Sequence, residues 1–355
     1  MSVLEGRHLT LIVPGLFGPA PPEGADAHAA IEALVSGLDL SAIEALLSRA
    51  RVTPAKGPWE SPEDLIFTAF GYLRTGDWPV AAVTRWADIG GDESDWCLRA
   101  DPVHLAADMG DLVLFDGDQF ALDLEEANAL AKIVADHFAE TGWRLEVTHP
   151  LRWYLRLNTP ARIQTSPLSM VRLRSVDAHL PTGEEAGRWH GLLNETQMLL
   201  HECAVNRSRE ARGEAAVNSL WFWGGGVLPA APAASWSRVH GDSAVLRGLA
   251  KRAGIESRAL PAGAAQLLEA DAGGHDLVLI DAGHAQARSS DVEAWREFIG
   301  ELSATWFAPV LRALDGGLIK SVAVLTDRNL RYDAGSTRWW QRLKGRRSFS
   351  RIASR

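Results

Sequence analysis

The stretch that decides the fold is Asp276-Leu-Val-Leu-Ile-Asp-Ala-Gly-His284. Its first part is a continuous apolar run that stops at an acidic residue followed by Ala-Gly. Two helical patterns, residues 243–254 and 290–314, flank the run in the chain. A strand that is apolar on both faces and lies between helices is typical of a parallel sheet covered on both sides. The stretch therefore predicts an α/β fold.

Further apolar runs extend this pattern toward both ends of the chain. Residues 320–326 (Lys-Ser-Val-Ala-Val-Leu-Thr) follow the second helix, and residues 9–13 (Leu-Thr-Leu-Ile-Val) stop at Pro14-Gly15. A short apolar run that ends at Pro and Gly predicts a buried strand followed by a loop. We therefore expect a mostly parallel sheet covered by helices.

Residues 93–213 interrupt the alternation of strands and helices. Strand-like runs surround a helical stretch at residues 123–141, and a pair of polar-amphipathic helices is predicted at residues 183–213. Short strands grouped with helices indicate an inserted, smaller α+β domain. The predicted organisation is a core of residues 1–92 and 214–337, the insert at residues 93–213, and a basic C-terminal tail at residues 338–355.

Composition excludes several classes of function. The 355 residues are 46% hydrophobic and 23% charged with a net charge of −9, which does not favour specific nucleic-acid binding or an anionic membrane. No apolar run approaches the ~18 residues of a membrane helix, and the N-terminus does not resemble a signal peptide. Cys97 and Cys203 belong to no Cys/His cluster, so we expect reduced thiols in a cytoplasmic protein.

The tail has no acidic residue. Its basic residues are Arg338, Arg342, Lys344, Arg346, Arg347, Arg351 and Arg355. Two interpretations are open: a solvated terminus, or an arm that docks an acidic or phosphorylated protein partner.

Five short strings in a shared order carry a family resemblance that extends over residues 9–330. The strings are residues 61–72, which end in Phe-Gly-Tyr; Trp96-Cys-Leu-Arg-Ala-Asp101; Asn218 to Gly226, with Gly224-Gly-Gly226 at its end; Asp281-Ala-Gly-His284; and Thr326-Asp327. Together they resemble the archaeal-type cofactor-independent phosphoglycerate mutases of the alkaline phosphatase superfamily. Among bacterial proteins the chain is similar to the group called RpfE-type regulatory proteins. The resemblance implies an alkaline phosphatase-like core with an inserted substrate domain.

The resemblance also implies a site with two metal ions, in which carboxylates and imidazoles hold the cations and a Ser is the nucleophile. The position that corresponds to the first acidic ligand is Pro14, which has no donor atom. Ser61 is the nearest candidate for the catalytic nucleophile, one residue out of register. The string Ser61-Pro-Glu-Asp64 is equally typical of a helix N-terminus, so both roles for Ser61 stay open.

The later metal ligands are only partly present. Asp281 and His284 remain with their spacing shortened by one residue, and Asp327 remains, but Arg328 follows where the family has His. No histidine occurs after His284. Because metal affinity depends on ligand number and geometry, we expect the site to lack two-metal turnover. Asp281, His284 and Asp327 would be metal ligands only if Mn²⁺ or Zn²⁺ is bound.

Arginine offers a different way to bind an anion. Arg328 puts a permanent cation at a former ligand position, and a guanidinium pairs with phosphate or carboxylate in a bidentate manner. Residues in the matching strings would complete a pocket for a small phosphorylated or carboxylate ligand. These candidates are Arg99, Asp101, Asn218, Gly224 and Gly226, with Arg152 or Arg156 as further cations. The alternative is that the arginines pair with acids and the glycines form a tight turn.

Two functions of different class follow from these residues. One is a non-catalytic protein with a regulatory or anion-binding role. The other is an active metal-dependent mutase or phosphatase with a rearranged site built from Ser61, Asp281, His284 and Asp327. A third hypothesis, a purely structural partner protein, rests on the tail alone.

Overall fold

The computed structural model describes residues 6–354 except 23, 56, 58, 92–93, 109, 118, 270–272, 289–290 and 336–344. Internal contacts divide the chain into two units. The first unit consists of Met1–Tyr72 and Pro232–Arg355, and the second of Leu73–Ala231.

A mostly parallel sheet forms the centre of the first unit. Within the described residues its strands are β1 (Arg7–Ile12), β2 (Arg51–Pro54), β8 (Arg238–His240), β9 (Glu256–Arg258), β10 (Gly274–Leu279), β11 (Ser321–Thr326) and β12 (Leu330–Gly335). Their order is β2-β12-β11-β1-β10-β8-β9. The five strands from β11 to β9 are parallel, and β12 and β2 are added antiparallel at one edge. The predicted α/β class is confirmed, and the apolar runs 9–13, 276–281 and 320–326 supply the three central strands.

Helices cover this sheet. They are α1 (Ala27–Leu34), α2 (Ser41–Arg49), α3 (Pro62–Ala69), α9 (Ala244–Ala253), α10 (Ala264–Glu269), α11 (Ala282–Arg288), α12 (Val292–Leu302), α13 (Ala308–Asp315) and α14 (Phe349–Ala353). The helix predicted at residues 290–314 is two helices joined by a π-helical turn, Ser303–Phe307. Trp295 and Phe307 from this region pack with Leu9 and Leu11 of β1 in the main core.

The described end of the C-terminal tail differs from a solvated terminus. Phe349 and Ile352 of α14 are buried in the core of the first unit, and Ser348 caps the helix. These two apolar side chains anchor the segment in the core, while the exposed Arg346 forms an ion pair with the partly buried Glu44 at 2.9 Å. Of the predicted docking arm, Arg338, Arg342, Lys344 and Arg355 lie outside the described residues.

The second unit is built on an antiparallel sheet. Its described strands are β3 (Cys97–Asp108), β4 (Asp111–Phe115), β5 (Arg144–His149), β6 (Arg152–Arg156) and β7 (Ser219–Gly226). The order is β4-β3-β6-β5, and β7 pairs with β3 as well. Its helices are α4 (Val80–Ile89), α5 (Leu124–His137), α6 (Leu168–Val171), α7 (Ala186–His201) and α8 (Ala204–Ala211).

The observed boundaries of this unit are wider than residues 93–213. Helix α4 and strand β7 belong to it, because α4 packs on β7 and β3, and β7 pairs with β3 along its length. Trp143, Trp189 and Phe222 lie at the centre of its core. No helix in the described ranges is long and apolar enough to span a membrane.

Candidate functional site at the strand ends

Three adjacent parallel strands of the first unit end at the same edge of the sheet. In the register of the sheet, Ile12 of β1 pairs with Leu279 of β10 and with Leu325 of β11. Pro14, Asp281 and Asp327 each follow one of these strands by a few residues. Ligands of α/β proteins bind at the carboxyl ends of parallel strands, so this edge is the natural place for a site.

The loop after β1 is fixed by contacts of Gly15. Its main-chain nitrogen donates to Asp327 Oδ2 at 2.8 Å, and its carbonyl accepts from Trp295 Nε1 at 2.8 Å. Its φ of +79° lies in the left-handed region, and a Cβ atom there would approach the Gly283 carbonyl oxygen to 2.3 Å. Only glycine therefore lets this loop pack against the turn that contains Asp281.

His284 is the buried residue of the site that lacks hydrogen bonds. It lies in α11 with a relative exposure of 4%, and neither ring nitrogen has a hydrogen-bond partner in the described part of the chain. Its Nδ1 lies 3.6 Å from Asp327 Oδ2, which is too long for a hydrogen bond. A buried polar group without a partner is unfavourable, and such groups are typical of functional sites.

Asp281 lies at the start of α11, where its carbonyl accepts from the main-chain nitrogen of His284 at 3.0 Å. Desolvation by the surrounding protein raises the pKa of its carboxyl, although the residue keeps an exposed face. The negative charges of Glu63 and Asp242 raise this pKa further, and His284 opposes them. Acidic side chains from α3 and from the loop after β8 thus lie near the same strand end.

Arg328 is bound to the main chain rather than to a carboxylate. Its Nη1 donates to the Ala353 carbonyl at 2.8 Å, and its Nη2 donates to the carbonyls of Phe17 and Gly18 at 3.2 and 3.4 Å. The guanidinium also lies over the Phe17 ring, 5.8 Å from its centroid. Burial lowers the pKa of Arg328, against the opposing charge of Asp327. These contacts tie α14 to the loop after β1.

Ser61 is the N-cap of α3, as the sequence allowed. Its hydroxyl accepts from the main-chain nitrogen of Asp64 at 3.1 Å, and Asp64 Oδ2 accepts from the nitrogen and hydroxyl of Ser61 at 3.0 Å each. This reciprocal arrangement is a capping box. The preceding segment is held to the site because Trp59 donates its main-chain nitrogen to Asn329 Oδ1 at 2.5 Å. The role of Ser61 as a nucleophile stays a prediction.

Arg99 and Asp101 lie in the second unit and pair with each other. Arg99 donates to Asp101 Oδ1 at 2.6 and 2.9 Å, and both side chains are buried. Trp223 Nε1 donates to the other carboxylate oxygen at 2.7 Å, and the guanidinium lies against the rings of Trp223 and Tyr154. Desolvation raises the pKa of Asp101, and the adjacent Arg99 opposes this. The guanidinium of Arg99, predicted to bind an anionic ligand, is thus paired with an internal carboxylate.

Asn218, which precedes β7, and Gly224 and Gly226 within it make close internal contacts. The Asn218 amide exchanges two hydrogen bonds with the main chain of Leu105, at 2.7 and 2.8 Å. A Cβ atom at Gly226 would lie 2.6 Å from Pro79, so glycine lets the start of α4 pack closely on the strand. Of the two further arginines, Arg152 pairs with Asp88 and Arg156 with Asp95 and Glu146.

The chain is similar in sequence to one curated protein and in fold to solved structures. Over 204 residues the chain is 28% identical to the probable 2,3-bisphosphoglycerate-independent phosphoglycerate mutase of Geobacter sulfurreducens, a match that covers 54% of this chain and 49% of the relative. The chain is a distant homologue of the archaeal-type cofactor-independent phosphoglycerate mutases. It matches about half the length of that relative. No protein-family model matches the chain.

Two solved structures resemble this phosphoglycerate mutase-like chain. The PH0037 protein of Pyrococcus horikoshii shares the fold with a TM-score of 0.50 at 13% identity, covering 94% of this chain and 88% of that one. The cofactor-independent phosphoglycerate mutase of Thermoplasma acidophilum gives a TM-score of 0.45 at 16% identity, covering 93% and 90% of the two chains.

The donor atoms of this phosphoglycerate mutase-like site do not fit a pair of metal ions. The side chain of Pro14 contributes no donor atom, Arg328 is a cation that cannot bind a metal ion, and one oxygen of Asp327 accepts from Gly15. Within the described ranges, no group of three or more His, Cys, Asp or Glu side chains has the geometry to hold a metal ion. A dinuclear centre needs several such ligands around cations about 3.5–4 Å apart.

The sequence pattern singled out Asp281, His284, Asp327 and Arg328, and these residues lie at or directly after the ends of adjacent strands of the first unit. It missed Gly15, Trp295 and Asn329, which position them. The positive φ of Gly15 could have been inferred from the Pro-Gly loop, and Asn329, with φ +57°, follows the pattern of a tight turn. Nothing in the sequence around Trp295 indicates its bond to the carbonyl of Gly15.

Proposed function

We propose that this phosphoglycerate mutase-like protein does not carry out two-metal phosphoryl transfer and acts as a binding or regulatory protein, as its similarity to RpfE-type proteins implies. The observation that carries the proposal is the bond from Gly15 to Asp327 Oδ2. In the homologous site this acid would bind a cation, whereas here the Asp327 carboxylate holds a loop in place. The neighbouring Arg328 supplies a fixed positive charge that holds main-chain carbonyls.

The ligand that we propose for the strand ends is a small phosphorylated or carboxylate molecule. His284 offers ring nitrogens without a hydrogen-bond partner in the described part of the chain, and either can donate to a ligand oxygen. Arg328 attracts the anion over a short range. The acids Asp281 and Glu63 oppose it, so the affinity depends on the state of Asp281, whose pKa is already raised.

Titration calorimetry and an activity assay test the proposal together. With the full chain in the presence of a chelator, 3-phosphoglycerate is expected to bind, and His284→Ala is expected to weaken binding about tenfold, the effect of losing a hydrogen bond to a charged group. With Mn²⁺ or Zn²⁺ added, no mutase or phosphatase turnover of 3-phosphoglycerate is expected. Metal-dependent turnover that disappears in Asp281→Ala would contradict the proposal.

A second candidate function is an active metal-dependent mutase or phosphatase with a rearranged site. The observation that favours it is the unpartnered imidazole of His284, 3.6 Å from Asp327 and adjacent to Asp281. Elemental analysis of the purified protein separates the two candidates. Stoichiometric Mn or Zn that is lost in His284→Ala supports the enzyme, whereas a metal-free protein that binds 3-phosphoglycerate supports the binding protein.

A protein partner for the basic tail remains a separate proposal, supported only by the charges of Arg338, Arg342 and Lys344. Deleting residues 338–355 is a poor test because it also removes Phe349 and Ile352 from the core. Substituting the three basic residues with Gln keeps α14 in place. Loss of association with an acidic or phosphorylated partner in that variant, at unchanged thermal stability, is the expected result.

A further inference from the structure

Two neighbouring cavities in the second unit share part of their lining, and we refer to the two together as the groove. The larger has a volume of about 600 Å³ and the smaller about 300 Å³. Both are lined by Leu157, Asn158 and Pro160, so the two spaces lie on either side of one short segment that follows β6. Small-molecule sites have volumes of roughly 300–1,000 Å³, so the larger cavity lies within this range and the smaller lies at its lower end.

Each end of the groove carries two arginines. Arg162 and Arg188 line the larger cavity, and Arg144 and Arg156 line the smaller. In this lining the acids are Glu185 in the larger cavity and Asp95 in the smaller. Arginines outnumber acids in this lining, but Glu184 and Glu146 outside it pair with Arg162 and Arg156. In the described part of the chain, Arg144 is the groove arginine without an acidic partner, so it attracts anions to this end.

Several polar groups of the groove are available to a ligand. Arg144 is exposed, and neither it nor the exposed Asn158 amide makes a side-chain hydrogen bond or ion pair within the described ranges. Arg162 pairs with Glu184 at 2.9 Å, but both side chains are 65% exposed. Exposed pairs of this kind contribute little to stability, so a phosphate can replace the carboxylate.

The larger end of the groove is built in advance of binding. The rings of Trp143 and Trp189 stack at its floor with centroids 6.0 Å apart and an interplanar angle of 19°, and both residues are almost fully buried. Glu185 accepts from the main-chain nitrogen of Arg162 at 2.7 Å and lies 3.4 Å from Arg188 Nη1. A fixed floor reduces the entropy lost on binding.

We propose that this groove binds an elongated small molecule with an anionic group at each end, such as a sugar bisphosphate. One anionic group contacts Arg162 and Arg188, the other contacts Arg144, and the body of the ligand crosses Leu157 and Pro160 next to the Asn158 amide. The site belongs to the second unit alone and does not depend on the function proposed for the strand ends.

Titration calorimetry with fructose 1,6-bisphosphate tests the proposal on the full chain. Binding is expected, and fructose 6-phosphate is expected to bind about tenfold more weakly because it engages one end only. Arg144→Gln and Arg188→Gln should each weaken binding of the bisphosphate about tenfold and reduce its salt dependence. Arg174→Gln is the matched control, since Arg174 is exposed in the same unit, lies outside both cavities and makes no side-chain contact of this kind in the described structure.

Thermal unfolding first establishes that each exposed substitution leaves the fold intact. The proposal is overturned if the bisphosphate does not bind at millimolar concentration. It is equally overturned if Arg144→Gln and Arg188→Gln bind it as tightly as Arg174→Gln, or if the monophosphate binds as well as the bisphosphate. Arg144 and Arg188 belong to the second unit, whereas the candidate site lies at the strand ends of the first unit. Failure of this test therefore does not bear on the function proposed for that site.

Discussion

The carboxylate of Asp327 accepts a hydrogen bond from the main-chain nitrogen of Gly15 at 2.8 Å, although the two residues are 312 positions apart in the chain. The bond joins the ends of neighbouring strands β11 and β1. It fixes the loop that packs against the turn of Asp281. An acid at a position that resembles a metal ligand is therefore part of the structural frame of the site.

Asp327→Ala should destabilise the protein. It leaves the Gly15 nitrogen without its acceptor, and the loss of a hydrogen bond to a charged group costs about 1.5–3 kcal/mol. Asp327→Asn keeps a carbonyl acceptor and should lose less than the alanine variant. Urea unfolding gives the free energy of unfolding of the first unit when limited proteolysis is used to monitor the two units separately.

Asp333→Ala is the matched control for this change, because the Asp333 side chain on β12 is 39% exposed and its ion pair in the described part of the chain is with the exposed Arg331 at 2.8 Å. Its cost should stay below about 1 kcal/mol. An Asp327→Ala protein as stable as Asp333→Ala would mean that the carboxylate does not hold the loop.

Arg328→Ala should release α14 from the loop after β1. The side chain donates to the carbonyls of Ala353, Phe17 and Gly18, and its loss leaves these acceptors to water or without a partner. We expect about 2–3 kcal/mol of destabilisation and faster cleavage of the chain after residue 344 by trypsin. Arg346→Ala removes an ion pair with Glu44 in which the arginine is 53% exposed, and it should cost about 1 kcal/mol or less.

Phe349→Ala tests whether the C-terminal segment is part of the core. The ring is 1% exposed, with centroids 5.9 Å from Phe17 and 6.4 Å from Trp295. Truncation of a buried Phe costs about 3–5 kcal/mol. Arg351→Ala, on the exposed side of the same helix, should change the unfolding midpoint by little. Equal effects of the two substitutions would indicate that the segment does not pack as described.

The strands and the site edge could be predicted from sequence for one physical reason. Strands buried on both faces leave continuous apolar runs, and parallel strands place their carboxyl ends together. Asp281 and Asp327 follow such runs directly, so their convergence needs no knowledge of side-chain contacts. The residues that position them, such as Trp295, act through single long-range bonds that leave no local pattern.

The C-terminal helix and the pairing of Arg99 were harder to predict. α14 has five residues among several arginines, so its two core side chains give no visible period. Arg99 and Asp101 lie two positions apart on one strand and therefore on one face, which makes a pair feasible. Their burial depends on Trp223 of β7, and sequence alone does not give the pairing of β3 with β7.

Ser61 and Asp64 should be energetically coupled if the capping box is their main role. Ser61→Ala is expected to cost about 1 kcal/mol, the usual effect of losing an N-cap. Asp64→Ala should cost a similar amount, and the double variant less than the sum, because both substitutions remove the hydrogen bond from the Ser61 hydroxyl to Asp64 Oδ2. Additive costs in this double-mutant cycle would show that the two side chains do not act together.

The last prediction concerns His275 on β10, whose imidazole is kept neutral by its surroundings. Desolvation lowers its pKa to about 4, helped by the charges of His8 and Arg331 and opposed by Asp276. The ring lies against Trp236 with centroids 4.5 Å apart, and Nε2 is 3.0 Å from the Thr10 hydroxyl.

The sign of the pH dependence follows from this shift. An unfolded chain protonates histidine near pH 6.5, whereas the folded protein resists protonation until about pH 4. Between these values the unfolded state binds more protons, so stability falls as the pH is lowered through this window. His275→Gln should flatten the dependence of the unfolding midpoint on pH between about 6.5 and 4.5.

His201→Gln is the control, since that side chain is exposed and makes no hydrogen bond in the described structure. Asp276 does not interfere with the measurement. Burial alone would raise the pKa of the Asp276 carboxyl. Hydrogen bonds from His240 and Arg238 and the charges of Arg238 and Arg7 nevertheless hold this pKa well below the ordinary value. The contribution of Asp276 to stability is therefore lost only in stronger acid. A slope in His275→Gln equal to that of the unsubstituted protein would show that another group carries the pH dependence.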